Sequence, residues 1–340
     1  MKGRHHACHL CHHRRTALTL TIIADFPVPA RRLWDAYTDP RQIERFWGPP
    51  EYPTTFTRHD AYPGGRSHYF MTGPDGDHSP GFWEWDSVEA PHRFTVRDGF
   101  AEDDNGTASA IMPTMTMDFE FTDTGTEDAP GSRVTTVTSI NSLEELEKLT
   151  AMGMIEGTRA AMGQIEAVLA DLASFAAGNG TGLQRIGETQ ARVSRVICGS
   201  VDQVWRAHTE AELLQRWQLG PDGWSMPVCQ AGTSVGDIYR SEWRNDATGE
   251  QFGFTGEVVD IAGPLRLVTT ETMISPDDPT GAKSPRTLNE MTLTPVGDGT
   301  LLSYLITYPD ADIREQVLAT GMVNGMESSY ARLEQEVLPQ

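Results

Sequence analysis

The alternation of apolar and polar positions is strongest at the start of the chain. TALTLTIIADF, from Thr16 to Phe26, has the two-residue period and β-branched content of a strand with one buried face. Pro29 then precedes ARRLWDAYT, where Leu33, Trp34 and Tyr37 fall on one face at helical spacing, and the acid–Pro start of DPRQIERFW opens a second short helix. Strand-like runs follow: TTFTRHD, GRSHYFMT, GFWEWDSV, HRFTVRD, TMTMDFEFTD and RVTTVTSI. Gly- and Pro-rich breakers at Pro63-Gly64-Gly65, Gly73-Pro74-Asp75-Gly76, Ala90-Pro91 and Pro130-Gly131 separate them. A single long helix is predicted from about Ser142 to Phe175, with Ser142 and Glu145 spaced as a capping box.

The same order then recurs. Trp34 and Trp205 head equivalent segments 171 residues apart, and Gly65 and Gly236 keep that offset. Gly81 and Gly253 stand 172 apart, and Gly153/Gly321 and Gly157/Gly325 stand 168 apart. A repeat this long is two copies of a whole domain, not a solenoid. The reading is a tail over 1–15 with no fold of its own, a first domain over 16–175, a Gly-rich flexible linker over 176–184 (AAGNGTGLQ), and a diverged second domain over 185–340. The second copy is expected to contain a strand over 186–197, short helices over 200–217, strands between 224 and 308, and a final helix from about Asp310 to Leu338. Long irregular stretches fall at the same place in both copies, 98–113 and 275–286. The class is α+β: an antiparallel sheet with helices on one side, curved around the C-terminal helix so that a cavity lies between.

Charge narrows the partners. The net charge is −21, and both domains are acidic, 16–175 carrying 11 basic and 26 acidic residues and 184–340 carrying 12 and 22. Nucleic acid and anionic membrane surfaces both call for Lys and Arg, so neither is expected as a partner. No apolar run reaches membrane-span length and the N-terminus lacks a secretory signal's apolar stretch, which gives a cytoplasmic expectation. Cys8, Cys11, Cys198 and Cys229 form no disulfide framework.

Several segments carry a resemblance. VPARRLWDAYTDPRQIERFWGP, PGGRSHYFMTGPDG, GFWEWDSVEAPHRF and EELEKLTAMGMIEGTRAAMGQIEAVL resemble, in order, the domain related to the activator of heat-shock protein 90 ATPase. That domain belongs to the START-like, or helix-grip, SRPBCC superfamily. The resemblance covers about residues 18–172. The second copy keeps the two tryptophans, GDIY and the Gly-Met helix, but has SVG for PGG and DATG for PDG. Two tandem helix-grip domains are implied, and with them binding of a small hydrophobic or amphipathic ligand, mainly in the first domain. The resemblance also leaves open a polyketide aromatase/cyclase-type enzyme, and a chaperone ATPase co-activator or stress-response protein. No cofactor is implied.

The candidate residues follow from the cavity. Trp47, Trp83, Trp85 and Trp217, with Tyr69 and Tyr239, either orient a polar ligand group or form core. Trp34 and Trp205 are assigned to core. Gly153, Gly157, Gly321 and Gly325 recur in the final helices at a cost to helix stability, so they either leave room for a ligand or let helix and sheet pack closely. Met152, Met154, Met162, Met322 and Met326 surround them as adaptable wall or core filling. Arg66 and His68 share one strand face and Tyr69 the other. Inward-pointing, Arg66 and His68 are candidates for acid–base work, with Glu84 beside them; outward-pointing, they are solvent-facing polar residues. Asp237 and Tyr239 are read at the corresponding places of the second copy, so no acid–base set is shared. Cys8 and Cys11 form a C-x-x-C among histidines in HHACHLCHH, a set with zinc-ligand chemistry but no second ligand pair at a distance, and no metal site is expected.

Overall fold

A computed structural model describes residues 9–14, 18–126, 129–170, 180–220 and 223–338, with 9–14 as backbone only. The chain divides into two compact units, Met1–Leu172 and Ala173–Gln340. Each is an eight-stranded, wholly antiparallel sheet with helices, the α+β architecture of a helix-grip domain.

In the first unit the strands are β1 (His9–Arg14), β2 (Thr19–Phe26), β3 (Thr54–His59), β4 (Arg66–Thr72), β5 (His78–Glu89), β6 (Arg93–Phe100), β7 (Thr114–Asp123) and β8 (Ser132–Ile140). Their spatial order is β1-β2-β8-β7-β6-β5-β4-β3. The helices are α1 (Ala30–Thr38), α2 (Pro40–Ile43), α3 (Leu143–Ala151), α4 (Met154–Met162) and α5 (Ile165–Ala170). Leu33, Trp34 and Tyr37 of α1 are buried as their spacing predicts, and Trp34 meets Phe94 and Phe121 edge-on. Pro29 stands at the N-cap, and Asp39 caps α2 by accepting from the Arg41 amide.

The second unit has β9 (Gly182–Ile186), β10 (Gln190–Ile197), β11 (Trp224–Gln230), β12 (Ile238–Asn245), β13 (Gln251–Ala262), β14 (Arg266–Ile274), β15 (Arg286–Val296) and β16 (Gly299–Thr307). They are ordered β11-β12-β13-β14-β15-β16-β10-β9. Its helices are α6 (Val201–Thr209), α7 (Ala211–Trp217), α8 (Ala311–Ala319) and α9 (Met322–Glu336). α6 starts with a complete capping box between Ser200 and Gln203.

Two expectations change. The first is the tail: His9–Arg14 is not without structure but runs antiparallel to β2, where it covers the free sheet edge as β9 covers β10. Residues 1–8 lie outside the described residues, Cys8 among them, and Cys11 is described only as backbone of β1. So does the expected linker up to residue 179, and by Gly182 the chain is already in β9.

The second is the closing helix, which is not continuous in either unit. It breaks at Gly153, with φ +85°, and at Gly321, with φ +83°, each the left-handed N-cap of the next helix. Ser142 nonetheless caps the first segment, accepting from the Glu145 amide at 3.1 Å. A β-carbon at Gly153, Gly321 or Gly325 would meet nothing within 4 Å, and at Gly157 only Pro49 Cγ at 3.8 Å. Close packing therefore does not explain these glycines; backbone conformation explains Gly153 and Gly321.

Gly321→Ala is expected to destabilise the second unit by about 1–2 kcal/mol, the cost of a left-handed non-glycine residue. Gly325→Ala, inside α9 with open space around it, is expected to be neutral or to stabilise by up to about 1 kcal/mol. Urea denaturation of the two variants distinguishes these signs.

Candidate functional site

Period-two geometry decides which side chains face the helices. In the first unit Ser67 of β4, Trp83 of β5 and Asp98 of β6 stand side by side across three paired strands. Phe94, Val96 and Asp98 share that inward parity on β6. All six of Ser67, Trp83, Phe94, Val96, Asp98 and Thr136 are buried. Trp83, Trp85, Phe94, Phe119 and Phe121 pack with Trp34, Tyr37 and Trp47 into a continuous aromatic core.

Hydrogen bonds link polar side chains within this core. Trp83 Nε1 donates to Asp98 Oδ1 at 2.8 Å, and the Tyr69 hydroxyl donates to the same oxygen at 3.1 Å. Tyr69 reaches it across Gly81, where a β-carbon would lie 2.5 Å from the Tyr69 ring. Trp85 Nε1 donates to Ser67 Oγ at 2.9 Å. Ser67 Oγ contacts His59 Nδ1 at 2.9 Å, and His59 Nε2 contacts the Tyr37 carbonyl at 3.0 Å. Burial pushes the Asp98 carboxyl up to about 6, against the downward pull of the two hydrogen bonds. Burial and the Asp98 charge also hold the Tyr69 phenol well above its ordinary range.

The second unit carries an acid at the same place. Gly64 N–H bonds the Trp85 carbonyl in one unit, and Gly236 N–H bonds the Val258 carbonyl in the other, which fixes the correspondence. Tyr239 then matches Ser67, Gly256 matches Trp83, and Glu271 matches Asp98. Leu267, Met291 and Leu293 replace Phe94, Phe119 and Phe121. The Tyr239 hydroxyl donates to Glu271 Oε2 at 2.9 Å, across Gly256. A β-carbon at Gly256 would lie 2.8 Å from the Tyr239 ring and closer still to the Thr270 carbonyl, so this pairing requires glycine there. Asn289 also hydrogen-bonds Glu271, its own Oδ1 accepting from Thr287 at 3.0 Å.

Burial differs sharply between the two rows. Tyr239, Gly256, Leu267, Thr269, Glu271 and Tyr304 are all only half-buried, where their six counterparts are buried. Burial still raises the Glu271 pKa. Glu271 is thus crowded by protein yet touched by solvent. No lysine or arginine among the described residues pairs with Glu271.

The candidate residues from the sequence separate accordingly. Trp47, Tyr69, Trp83 and Trp85 come together, but as the filled core of the first unit. Trp217 is core of the second, its Nε1 donating to the Ala207 carbonyl and its ring stacked on Tyr330. Trp34 is buried and Trp205 half-buried against the core. Met152 is 54% exposed, whereas Met162 is buried and Met154 packs on the core. Met322 and Met326 are half-buried and, like Tyr304, pack against the cluster of Ala191, Val193, Ile306, Tyr308 and Leu318. Gly153 and Gly157 border no side chain of the aromatic core.

Arg66, His68 and Glu84 do not face the core. Glu84 binds Arg97 and, at 3.5 Å, Arg66, whose guanidinium lies over Phe82. A β-carbon at Gly106, in the 98–113 stretch, would lie 2.4 Å from the His68 ring, so these residues pack under that loop on the opposite face. Tyr239 was matched to His68 by counting from Gly65, a one-residue slip that turns the whole strand over. With the register corrected, an inner-face acid is shared between the units, while its tyrosine partner comes from different positions, Tyr69 in one and Tyr239, the counterpart of Ser67, in the other. Asp98, Glu271, Gly256, Asn289 and Tyr304 were missed. Inward parity in RFTVRD and LVTTE was the available signal, since each places an acid where an apolar residue is due.

Elsewhere, a cleft of about 560 Å³ between α7 and α9 is lined by Arg216, Leu219, Ser328, Ala331, Arg332, Gln335 and Glu336. Its arginines are occupied with backbone carbonyls of Trp217, Gly220 and Glu336. Among the described residues no group of three or more His, Cys, Asp or Glu is placed to hold a metal ion. No helix among them is long and apolar enough to cross a membrane.

These features define a tandem helix-grip protein with an inner-face carboxylate at the same place in each unit. The chain belongs to the family described as "Activator of Hsp90 ATPase homolog 1-like protein", which it matches over residues 27–170 and again over 199–337. Among solved structures it is similar to protein Ms6760 from Mycobacterium smegmatis, with 43% identity over 48% of this chain and 97% of that one and a TM-score of 0.43. A protein from Arthrobacter aurescens shares 36% identity over 48% and 93% of the two chains, with a TM-score of 0.45. One from Rhodobacter sphaeroides shares 27% over 46% and 97%, with a TM-score of 0.41. No curated protein matches.

Asp98 makes a signed prediction. Its folded pKa of about 6 exceeds the ordinary 3.8, so folding favours the protonated form. That stabilisation is complete below about pH 4 and is lost as pH rises through 6. Asp98→Asn keeps an acceptor for Tyr69 and Trp83 and removes the titration. Relative to wild type it should gain about 2–3 kcal/mol between pH 4 and pH 7. Urea denaturation at both pH values measures this, and parallel profiles would contradict it.

Proposed function

We propose that the protein binds a small amphipathic molecule, and that the site is the inner face of the second unit, with the first unit as its filled structural partner. The observation that carries this is the row-by-row exchange of Trp83, Phe94 and Phe119 for Gly256, Leu267 and Met291. Loss of large rings from the centre of a curved sheet leaves volume that the remaining side chains do not fill, and half-buried Leu267, Thr269, Glu271 and Tyr304 border it. Apolar walls from Phe254, Leu267, Met322 and Met326 suit an apolar body, and the Tyr239–Glu271–Asn289 group suits one polar end. This reverses the emphasis of the sequence, which placed the ligand mainly in the first domain.

A catalytic reading, of the aromatase/cyclase type, is favoured by one observation: a carboxyl with raised pKa beside a tyrosine in a recess is a plausible proton donor. It uses the same residues and adds turnover to binding.

Thr269→Trp puts an indole back at the centre of the row. It should weaken binding of the neutral probe 1-naphthylmethanol at least about tenfold by calorimetry, with circular dichroism unchanged. Met152→Ser, on the exposed surface, should leave that affinity as in wild type. Undiminished binding by Thr269→Trp would place the site elsewhere.

A further inference from the structure

Glu271 is the only carboxylate in the Tyr239–Thr269–Glu271–Asn289 group, and its hydrogen-bond partners are neutral. In the first unit two donors converge on one oxygen of Asp98 within the buried core. In the second unit the Trp83 indole has no counterpart, because Gly256 occupies its place. One acceptor face of Glu271 is thereby left toward the recess.

An ionised carboxylate with only neutral partners is under-compensated where burial is substantial. Two phenol rings stand close: Tyr239, in contact with it, and Tyr304, near enough for its own ionisation to be opposed by the Glu271 charge. A carboxylate flanked by aromatic rings is the chemistry that recognises an organic cation, through a charge-assisted hydrogen bond and the ring faces. The domain's surplus of acidic groups favours the same sign of ligand.

We infer that the recess of the second unit takes an amphipathic amine, its protonated nitrogen on Glu271 and its apolar body against Phe254, Leu267 and Met326. The inference rests on the proposed binding role and specifies its ligand. A carboxylate ligand is excluded by repulsion from Glu271. A neutral alcohol can replace water but gains no charge pairing.

The test titrates the full chain with three size-matched probes, 1-naphthylmethylamine, 1-naphthylmethanol and 1-naphthylacetate, by calorimetry at pH 7. The amine is expected to bind at least about tenfold more tightly than the alcohol, and the acetate most weakly. Glu271→Gln should remove the amine's advantage while changing the alcohol's affinity less than about threefold. Glu271→Asp, which keeps the charge, should retain part of it and guards against a folding defect in the amide variant. Equal binding of amine and alcohol by wild type, or an amine preference that survives Glu271→Gln in a folded protein, overturns the amine assignment and leaves the binding role standing. Failure of all three probes to bind overturns both.

Discussion

A carboxylate facing the interior of a sheet must be satisfied, and how that is done sets the character of each half of this protein. In the first unit Asp98 is met by an indole and a phenol, and both donors come on large rings that occupy the space they serve. Satisfaction and filling are the same event there. In the second unit Glu271 is met by Tyr239 and Asn289, while the strand between Tyr239 and Glu271 contributes a glycine. The acid is satisfied from its edges and the middle is left low. One residue, tryptophan or glycine, thus accompanies a buried row in one unit and a half-buried row in the other.

The packing around the two acids follows. Where Trp83 stands, Trp85, Phe94, Phe119 and Phe121 close over it in edge and tilted contacts, which spreads the burial of many rings over one cluster. Where Gly256 stands, Leu267, Met291 and Leu293 take the places of Phe94, Phe119 and Phe121, and Trp243, Phe252 and Phe254 pack together on the strands near β11. Trp243 is held there by its N–H to the Gln218 carbonyl at 2.6 Å. The family model matches both halves, which fits duplication and divergence of one domain.

Much of the fold was legible. Period-two runs located the strands from TTFTRHD to RVTTVTSI, and Leu33, Trp34 and Tyr37 located α1, because burial on one face imposes those spacings on the sequence. The break at Gly153 and Gly321 was not legible as a break. A left-handed glycine and a helix-interior glycine are the same letter, and only the backbone angle tells them apart. The strand over His9–Arg14 was hidden because an edge strand needs only one partner and little apolar character. The site failed for a different reason. Matching Gly65 with Gly236 instead of Gly64 shifted Tyr239 onto His68, and with a period of two a one-residue slip exchanges inside for outside. With that offset Asp98 falls on Thr269, so the two acids do not align.

The central claim is that the first unit is filled and the second is open. Chemical-shift mapping on the isotopically labelled full chain tests it most directly, with 1-naphthylmethanol, whose neutrality keeps charge out of the comparison. The account predicts shifts concentrated on Tyr239, Phe254, Leu267, Thr269 and Tyr304 and on the facing turn of α9, with Trp83, Phe94 and Phe119 unmoved. Shifts centred on Trp47, Trp83 and Phe119 instead would contradict it, and would return the binding role to the first unit.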